Sequence, residues 1–223
     1  MYIIVAGAGL VGSQITELLI EHKHDVVVID SNREVCEKIY AQTGAMTING
    51  NATNYYDLQE AGIEKADLLV CCLRHDSDNI SSALLAKSLG LPRVIACARQ
   101  SNYTEAYRLA GVSNIVQMTD IVIDNIIYQI EFPPVKRLFS FGSGKAEMYV
   151  VTIEKKSKLI GKKIKNIVAD PDFPSICVFS GIYREEKDKF VIPRGDTEIK
   201  LNDKVFVVSS HEYIRDAVEY LYK

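Results

Sequence analysis

Gly7-Ala8-Gly9-Leu10-Val11-Gly12 constrains this chain more than any other stretch, because an apolar run precedes it and an amphipathic run follows it. Tyr2-Ile3-Ile4-Val5-Ala6 has the length and character of a buried strand, while Val11, Ile15, Leu18 and Leu19 recur at helical spacing up to Glu21. The glycines therefore occupy a strand-to-helix turn. In such a turn the first glycine takes a backbone conformation closed to other residues, the second admits a pyrophosphate to the main chain, and the third packs helix on strand. Amides at the helix N-terminus then face a phosphate. A second apolar run, Val26-Val27-Val28-Ile29, ends in Asp30, eighteen positions after Gly12, where a carboxylate can accept hydrogen bonds from ribose hydroxyls. Strand, loop, helix and distal acid together match a dinucleotide fingerprint, whereas a glycine turn that only tightens a βαβ unit has no need of the acid. Its negative charge disfavours a 2′-phosphate, and hence NADP.

Strand and helix keep alternating after Asp30. Apolar runs at Ala45–Ile48, Asp67–Cys72, Arg93–Cys97 and Asn114–Val116 are separated by helical segments that end at Gly44, Gly62, Gly90 and Gly111. Six strands with helical crossovers predict an α/β fold, a Rossmann-like doubly wound parallel sheet over residues 1–131. Ligands of such sheets lie across the carboxyl ends of the strands. Here those ends carry the Gly7–Gly12 loop, Asp30 with Ser31, Asn51-Ala52-Thr53, Cys72-Leu73-Arg74 with Asn79 behind them, and Arg99. In His75-Asp76-Ser77-Asp78, Asp76 or Ser77 is expected to cap the next helix and Asp78 to sit in its first turn.

The segment after the sixth strand is strongly apolar. Ile123, Ile126, Ile127 and Ile130 form one helical stripe, and Ile121 and Val122 add apolar surface elsewhere on the turn. A subunit interface and a final crossover helix packed on its own sheet both account for it. Phe132-Pro133-Pro134 ends that helix, and residues 132–145, with Gly142-Ser143-Gly144, read as a linker. Residues 146–223 change rhythm to short alternating runs and a closing helix from His211, a small α+β module.

The 26 basic and 29 acidic side chains nearly balance, so no long-range field favours nucleic acid or an anionic membrane. No apolar run reaches the roughly 18 residues of a membrane span, and the first strand starts without a leader, so a soluble cytosolic chain is expected. Five cysteines and four histidines show no metal-ligand spacing, and no metal is expected. Cys36, Cys71, Cys72, Cys97 and Cys177 read as free core thiols. No catalytic residue stands out: the one Y-x-x-x-K match, Tyr183 to Lys187, falls in a second-module hairpin, and the lysines from Lys155 to Lys165 read as a solvated face offset by Glu154 and Asp170. A non-enzymatic role leads, with an NAD-dependent oxidoreductase as the alternative.

The order of these motifs resembles the regulators of potassium conductance, the cytosolic gating subunits of Trk- and Ktr-type potassium transporters. The resemblance is carried by the glycine loop, the strand ending at Asp30, Gly50-Asn51-Ala52-Thr53, Ala61-Gly62-Ile63, Asp67-Leu68, Asp76 with Asn79, Ala86-Lys87 and Ala98-Arg99. In the second module it continues through Leu159-Ile160-Gly161-Lys162, Ile182-Tyr183-Arg184 and Ile192-Pro193-Arg194-Gly195-Asp196-Thr197. It implies an adenine nucleotide, NAD(H) or ATP, ADP or AMP, with the glycines on the diphosphate, Asp30 on the adenosine ribose and Asn51 with Thr53 at the adenine. It also implies a homo- or hetero-oligomer, from a dimer to an octameric ring, bound at the inner face of the membrane to an integral potassium transporter or channel. Two departures stand out: Asn51 replaces the family's usual aspartate, and Leu73 stands where a threonine is frequent.

Overall fold

The computed structural model describes residues 1–131, 135–141 and 145–222. It divides into two units, Met1–Val122 and Ile123–Lys223. In the first, strands β1 (Tyr2–Ala6), β2 (Asp25–Asp30), β3 (Met46–Asn49), β4 (Leu68–Cys71), β5 (Val94–Ala98) and β6 (Asn114–Gln117) alternate with helices α1 (Leu10–Glu21), α2 (Arg33–Thr43), α3 (Tyr55–Glu60), α4 (Asp76–Ser88) and α5 (Thr104–Leu109). All six strands are parallel, in the order β3-β2-β1-β4-β5-β6. The doubly wound sheet is therefore the one the alternation predicts.

Its strands are apolar on both sides because both faces are covered. Ile4, Ala6, Val27, Ile29 and Leu69 enter one core, and their neighbours Ile3, Val5, Val26, Val28 and Val70 enter another on the opposite face. Each such valine, leucine or isoleucine contributes about 1.5–3 kcal/mol when fully buried. Local signals set the helix ends. Asn32 caps α2 by accepting from the Glu34 and Val35 amides, and Gly44 ends it at φ 73°, a left-handed conformation that favours glycine. Ala6 pairs with both Ile29 and Cys71, so β1, β2 and β4 finish level and their following loops meet.

Helix α6 (Met118–Glu131) spans the division between the units. The second unit continues with β7 (Val135–Phe141), β8 (Ala146–Thr152), α7 (Ile164–Val168), β9 (Val178–Arg184), β10 (Lys189–Val191), β11 (Lys204–Ser209) and α8 (Ile214–Tyr222). Its sheet is antiparallel, ordered β10-β9-β11-β8-β7. Burial alternates along β8 and β11, and the inward residues Tyr149, Val151, Val205 and Val207 share one core with Ala217 and Leu221 of α8.

Two expectations change. The stretch 132–145 is more than a linker, because Val135–Phe141 is a strand paired with β8, shifted in register between Arg137 and Phe139. Its alternation was masked by the proline and glycine clusters on either side, and those clusters, Phe132-Pro133-Pro134 and Gly142-Ser143-Gly144, lie outside the described residues. Arg137 of this strand bonds Glu147 at 3.1 Å and Asp124 at 2.7 Å. The lysines of the second unit are offset by more than the sequence expectation named: the Lys162 charge acts on Asp170 as expected, and Lys163 and Lys165 both pair with Asp196. Along α6, Ile123, Ile126, Ile127 and Ile130 are 51%, 52%, 46% and 69% exposed, so among the described residues the stripe is only partly covered.

Candidate functional site

Three glycines open the crevice, and the structure asks something different of each. Gly7 sits at φ 90°, donates its N–H to the Ile29 carbonyl at 2.8 Å, and would place a Cβ only 2.8 Å from the Cys72 carbonyl oxygen. A Cβ on Gly12 would lie 1.9 Å from the Gly7 carbonyl oxygen. Gly9 is unlike both: a Cβ there meets nothing within 4 Å, and its φ of −63° suits any residue. Packing demands the first and third glycines, while only something arriving from outside could demand the second. Gly9 is also the N-cap of α1, which has neither a capping side chain nor an acidic residue in its first turn. The partial positive charge on that helix end therefore faces outward unneutralised.

The Asp30 carboxylate bridges the end of β2 to the glycine loop. It accepts from the Ala8 amide at 2.7 Å and from the Asn32 amide at 2.8 Å. Each oxygen keeps a lone pair for a further donor. On the next strand end, Asp57 accepts from the Asn51 amide at 2.6 Å, and Asn51 Oδ1 accepts from both the amide and the hydroxyl of Thr53 at 2.9 Å. With that oxygen so engaged, the Asn51 amide NH2, a donor group, remains for a ligand.

Beyond β4 the wall is held by two buried side chains, Asn79 and Asp76, and the second of them has a role other than the one expected from the sequence. Asp76 does not cap α4, and neither does Ser77: the N-cap is His75, and it makes no side-chain capping bond. Asp76 is instead 6% exposed and accepts from the amides of Arg99 and Gln100 at 2.9 and 3.1 Å and from the Tyr107 hydroxyl at 2.7 Å. Burial, with the Asp76 carboxylate beside it, raises the Tyr107 hydroxyl above its ordinary pKa and keeps it a donor. Asn79, wholly buried, accepts from the Leu73 amide at 2.9 Å and donates to the Leu73 and Cys97 carbonyls at 3.4 Å. Its role is to fix the chain on which Leu73 and Arg99 stand.

The result is an open cleft of about 600 Å³. Of the residues singled out from sequence, Gly7, Gly9, Asp30, Ser31, Asn51, Ala52, Cys72, Leu73, Arg74 and Arg99 line it. Ala8, Leu10, Val11, Gly12, Thr53 and Asn79 are not on its lining, and those among them with described bonds shape the wall from behind. Ile29, Gly50, His75 and Asp78 also line the cleft. Gly50 was visible inside the Gly50–Thr53 motif; His75 was read as a loop residue and Asp78 as part of the next helix's first turn. The cleft carries charge of both signs, with Asp30 at the end of β2, Arg74 and Asp78 after β4, and Arg99 after β5.

Elsewhere the chemistry is sparse. Tyr183 of the Y-x-x-x-K match lies on β9, in the second unit, and donates to Asp188 at 2.8 Å. Among the described residues no group of three or more His, Cys, Asp or Glu is arranged to hold a metal ion, and no helix is long and apolar enough to cross a membrane.

Comparison with known proteins places the two units in context. The TrkA-N domain family matches residues 3–118 and the TrkA-C domain family residues 148–222. A Trk system potassium uptake protein TrkA homolog of Methanothermobacter thermautotrophicus is 26% identical over 217 residues, 97% of each chain. A homolog of the same description from Archaeoglobus fulgidus is 31% identical over 95% of this chain, which spans 48% of that protein's length. Among solved structures, the GsuK channel covers 99% of this chain and 39% of its own, at a TM-score of 0.67 and 20% identity. The same channel bound to NAD superposes at a TM-score of 0.64 with 19% identity, again over 99% of this chain and 39% of its own. At that identity the likeness concerns the fold.

Proposed function

The chain belongs to the TrkA family, carrying its N-terminal and C-terminal domains in order, and from that premise we propose that it is a regulatory subunit that senses an adenine nucleotide and gates a membrane potassium-uptake system. The observation that carries the reading is Gly9, a glycine that the fold does not need, set before an uncapped helix end and opposite the Asp30 carboxylate. A diphosphate on the Gly9–Gly12 turn leaves the adenosine ribose to the remaining lone pairs of Asp30 and a base edge to the Asn51 amide. Arg74 and Arg99 lie where a second phosphate or second ribose would extend. NAD, ADP and ATP all share this chemistry, and the solved NAD-bound GsuK channel supports its use on such a fold.

The role is regulatory, not catalytic. A ligand that prefers one of two domain arrangements shifts their balance by its differential affinity, typically about 1–3 kcal/mol. The exposed isoleucine stripe of α6 supports assembly with a second copy or a related chain at the cytoplasmic face of the transporter.

Calorimetric titration with NAD, NADH, ATP, ADP and AMP tests the sensor. At least one should bind, and Asp30→Asn, which keeps an acceptor for Ala8 while removing the charge, should weaken it about tenfold or more. Unchanged affinity in that variant rejects the assignment. Light scattering of Ile127→Asp tests the assembly: particle mass should fall, and an unaltered mass counts against α6 as the interface.

A further inference from the structure

Two thiols meet in the floor of this cleft. Register pairs Cys71 of β4 with Ala96 of β5, so the next positions, Cys72 and Cys97, lie side by side as the strands run out. Their Sγ atoms are 3.3 Å apart. Neighbouring strands run about 4.8 Å apart, within the range of Cα separations found across disulfides. Cys72 is partly exposed and lines the cleft, which gives a small oxidant a path to the pair. Buried Cys36 and Cys177, by contrast, have oxygen rather than sulfur neighbours.

We propose that Cys72 and Cys97 are an oxidant-sensitive dithiol that closes to a disulfide and thereby lowers the affinity of the cleft for its nucleotide. Hydrogen peroxide supplies the balance. The Cys97 thiolate attacks one peroxide oxygen, giving a sulfenic acid and releasing hydroxide, which takes a proton to become water. The Cys72 sulfur then attacks the sulfenic sulfur, loses its proton, and expels a second water. Two thiols are oxidised by two electrons, and one peroxide is reduced to two waters. The site favours the first step, because the contact with the Cys72 sulfur and the nearby Arg99 charge draw the Cys97 thiol below its ordinary value, against the opposing effect of burial. Cys71, the other titratable group nearby, stays protonated, pushed up to about 12 by burial.

The effect on affinity rests on the nucleotide reading above. Closing the gap to the roughly 2.05 Å of a disulfide turns both side chains and draws the two strand ends towards each other. Neither has slack. The Cys72 carbonyl is packed against Gly7, and Asn79 ties the Cys97 carbonyl to Leu73. The displacement is passed to the glycine loop and to the base of Arg99.

Treating the reduced full chain with a few equivalents of peroxide and mapping its peptides tests the dithiol. Two hydrogens should be lost from the intact mass, with a link between Cys72 and Cys97 that vanishes in Cys72→Ser and persists in Cys71→Ser and Cys36→Ser. Cys72 and Cys97 still open to alkylation, or oxidised singly to sulfinic acids, would overturn it. ADP and NAD are then titrated into the reduced and the linked protein, where an affinity loss of about fivefold or more is expected. Equal affinities overturn the coupling. Failure of both forms to bind any adenine nucleotide overturns the sensor reading and the coupling together, while the peptide map still decides the dithiol.

Discussion

The two sheets solve opposite packing problems. In the first unit β1, β2 and β4 are buried on both faces, so their side chains are consumed by two cores and only the strand ends are left to do chemistry. In the second unit β8 and β11 bury alternate residues, which leaves the other face of the sheet half-buried. A parallel sheet concentrates its function into loops, whereas a one-sided antiparallel sheet can offer a surface. The contrast explains why the cleft residues of the first unit lie at or just past the carboxyl end of a strand, Asp78 in the first turn of α4 excepted.

The largest test of that contrast puts the same charge into each sheet. Val28→Asp, at a wholly buried position, should leave the first unit unfolded, at a cost of several kcal/mol, while Val150→Asp on the partly exposed side of β8 should cost about 1 kcal/mol. Urea denaturation followed by circular dichroism measures both. Similar losses would break the comparison.

A second test separates scaffold from site within one loop. Gly12→Ala forces its methyl into the Gly7 carbonyl and should cost about 2–3 kcal/mol in the same denaturation experiment. Gly9→Ala should change stability by less than about 0.5 kcal/mol and yet weaken adenine-nucleotide binding about tenfold. If the two alanines destabilise alike, Gly9 belongs to the scaffold.

The smallest effect concerns a polar contact at the second unit's last helix. The Tyr220 hydroxyl donates to Asp170 at 2.6 Å and, with the Asp172 amide and the Lys162 charge, holds that carboxyl below its ordinary value. The unfolded chain therefore binds the proton more readily than the folded one. The contribution is complete above the usual carboxylate range and is lost as pH falls through the depressed folded value. Tyr220→Phe should thus narrow the gap between melting temperatures at about pH 7 and about pH 3, slightly. An unchanged gap would show that this pair does not sense acid.

What the sequence disclosed and what it concealed divide along one line, the distance over which each signal acts. Glycine spacing, the apolar runs and Asp30 are local patterns, and they led to the parallel sheet and to most of the cleft lining. Asp76 misled because Asp before a helix is a common cap; its bonds to Arg99 and Tyr107 cross 23 and 31 residues and follow from the fold, not from spacing. Asp57 could be found only once α3 was seen to turn back on Asn51. Cys72 and Cys97 are 25 positions apart and become neighbours only through the register of β4 on β5. Strand β7 was hidden by its flanks, since proline and glycine clusters carry the stronger local cue.

Position 9 has one more consequence, for heredity. Because an alanine there would trouble neither the backbone nor any neighbour, mutation could install it freely in a lineage that had stopped filling the cleft. Randomising that codon and growing cells on scarce potassium would reveal whether this pressure operates: glycine alone among the survivors would mean that each generation still depends on what the cleft holds.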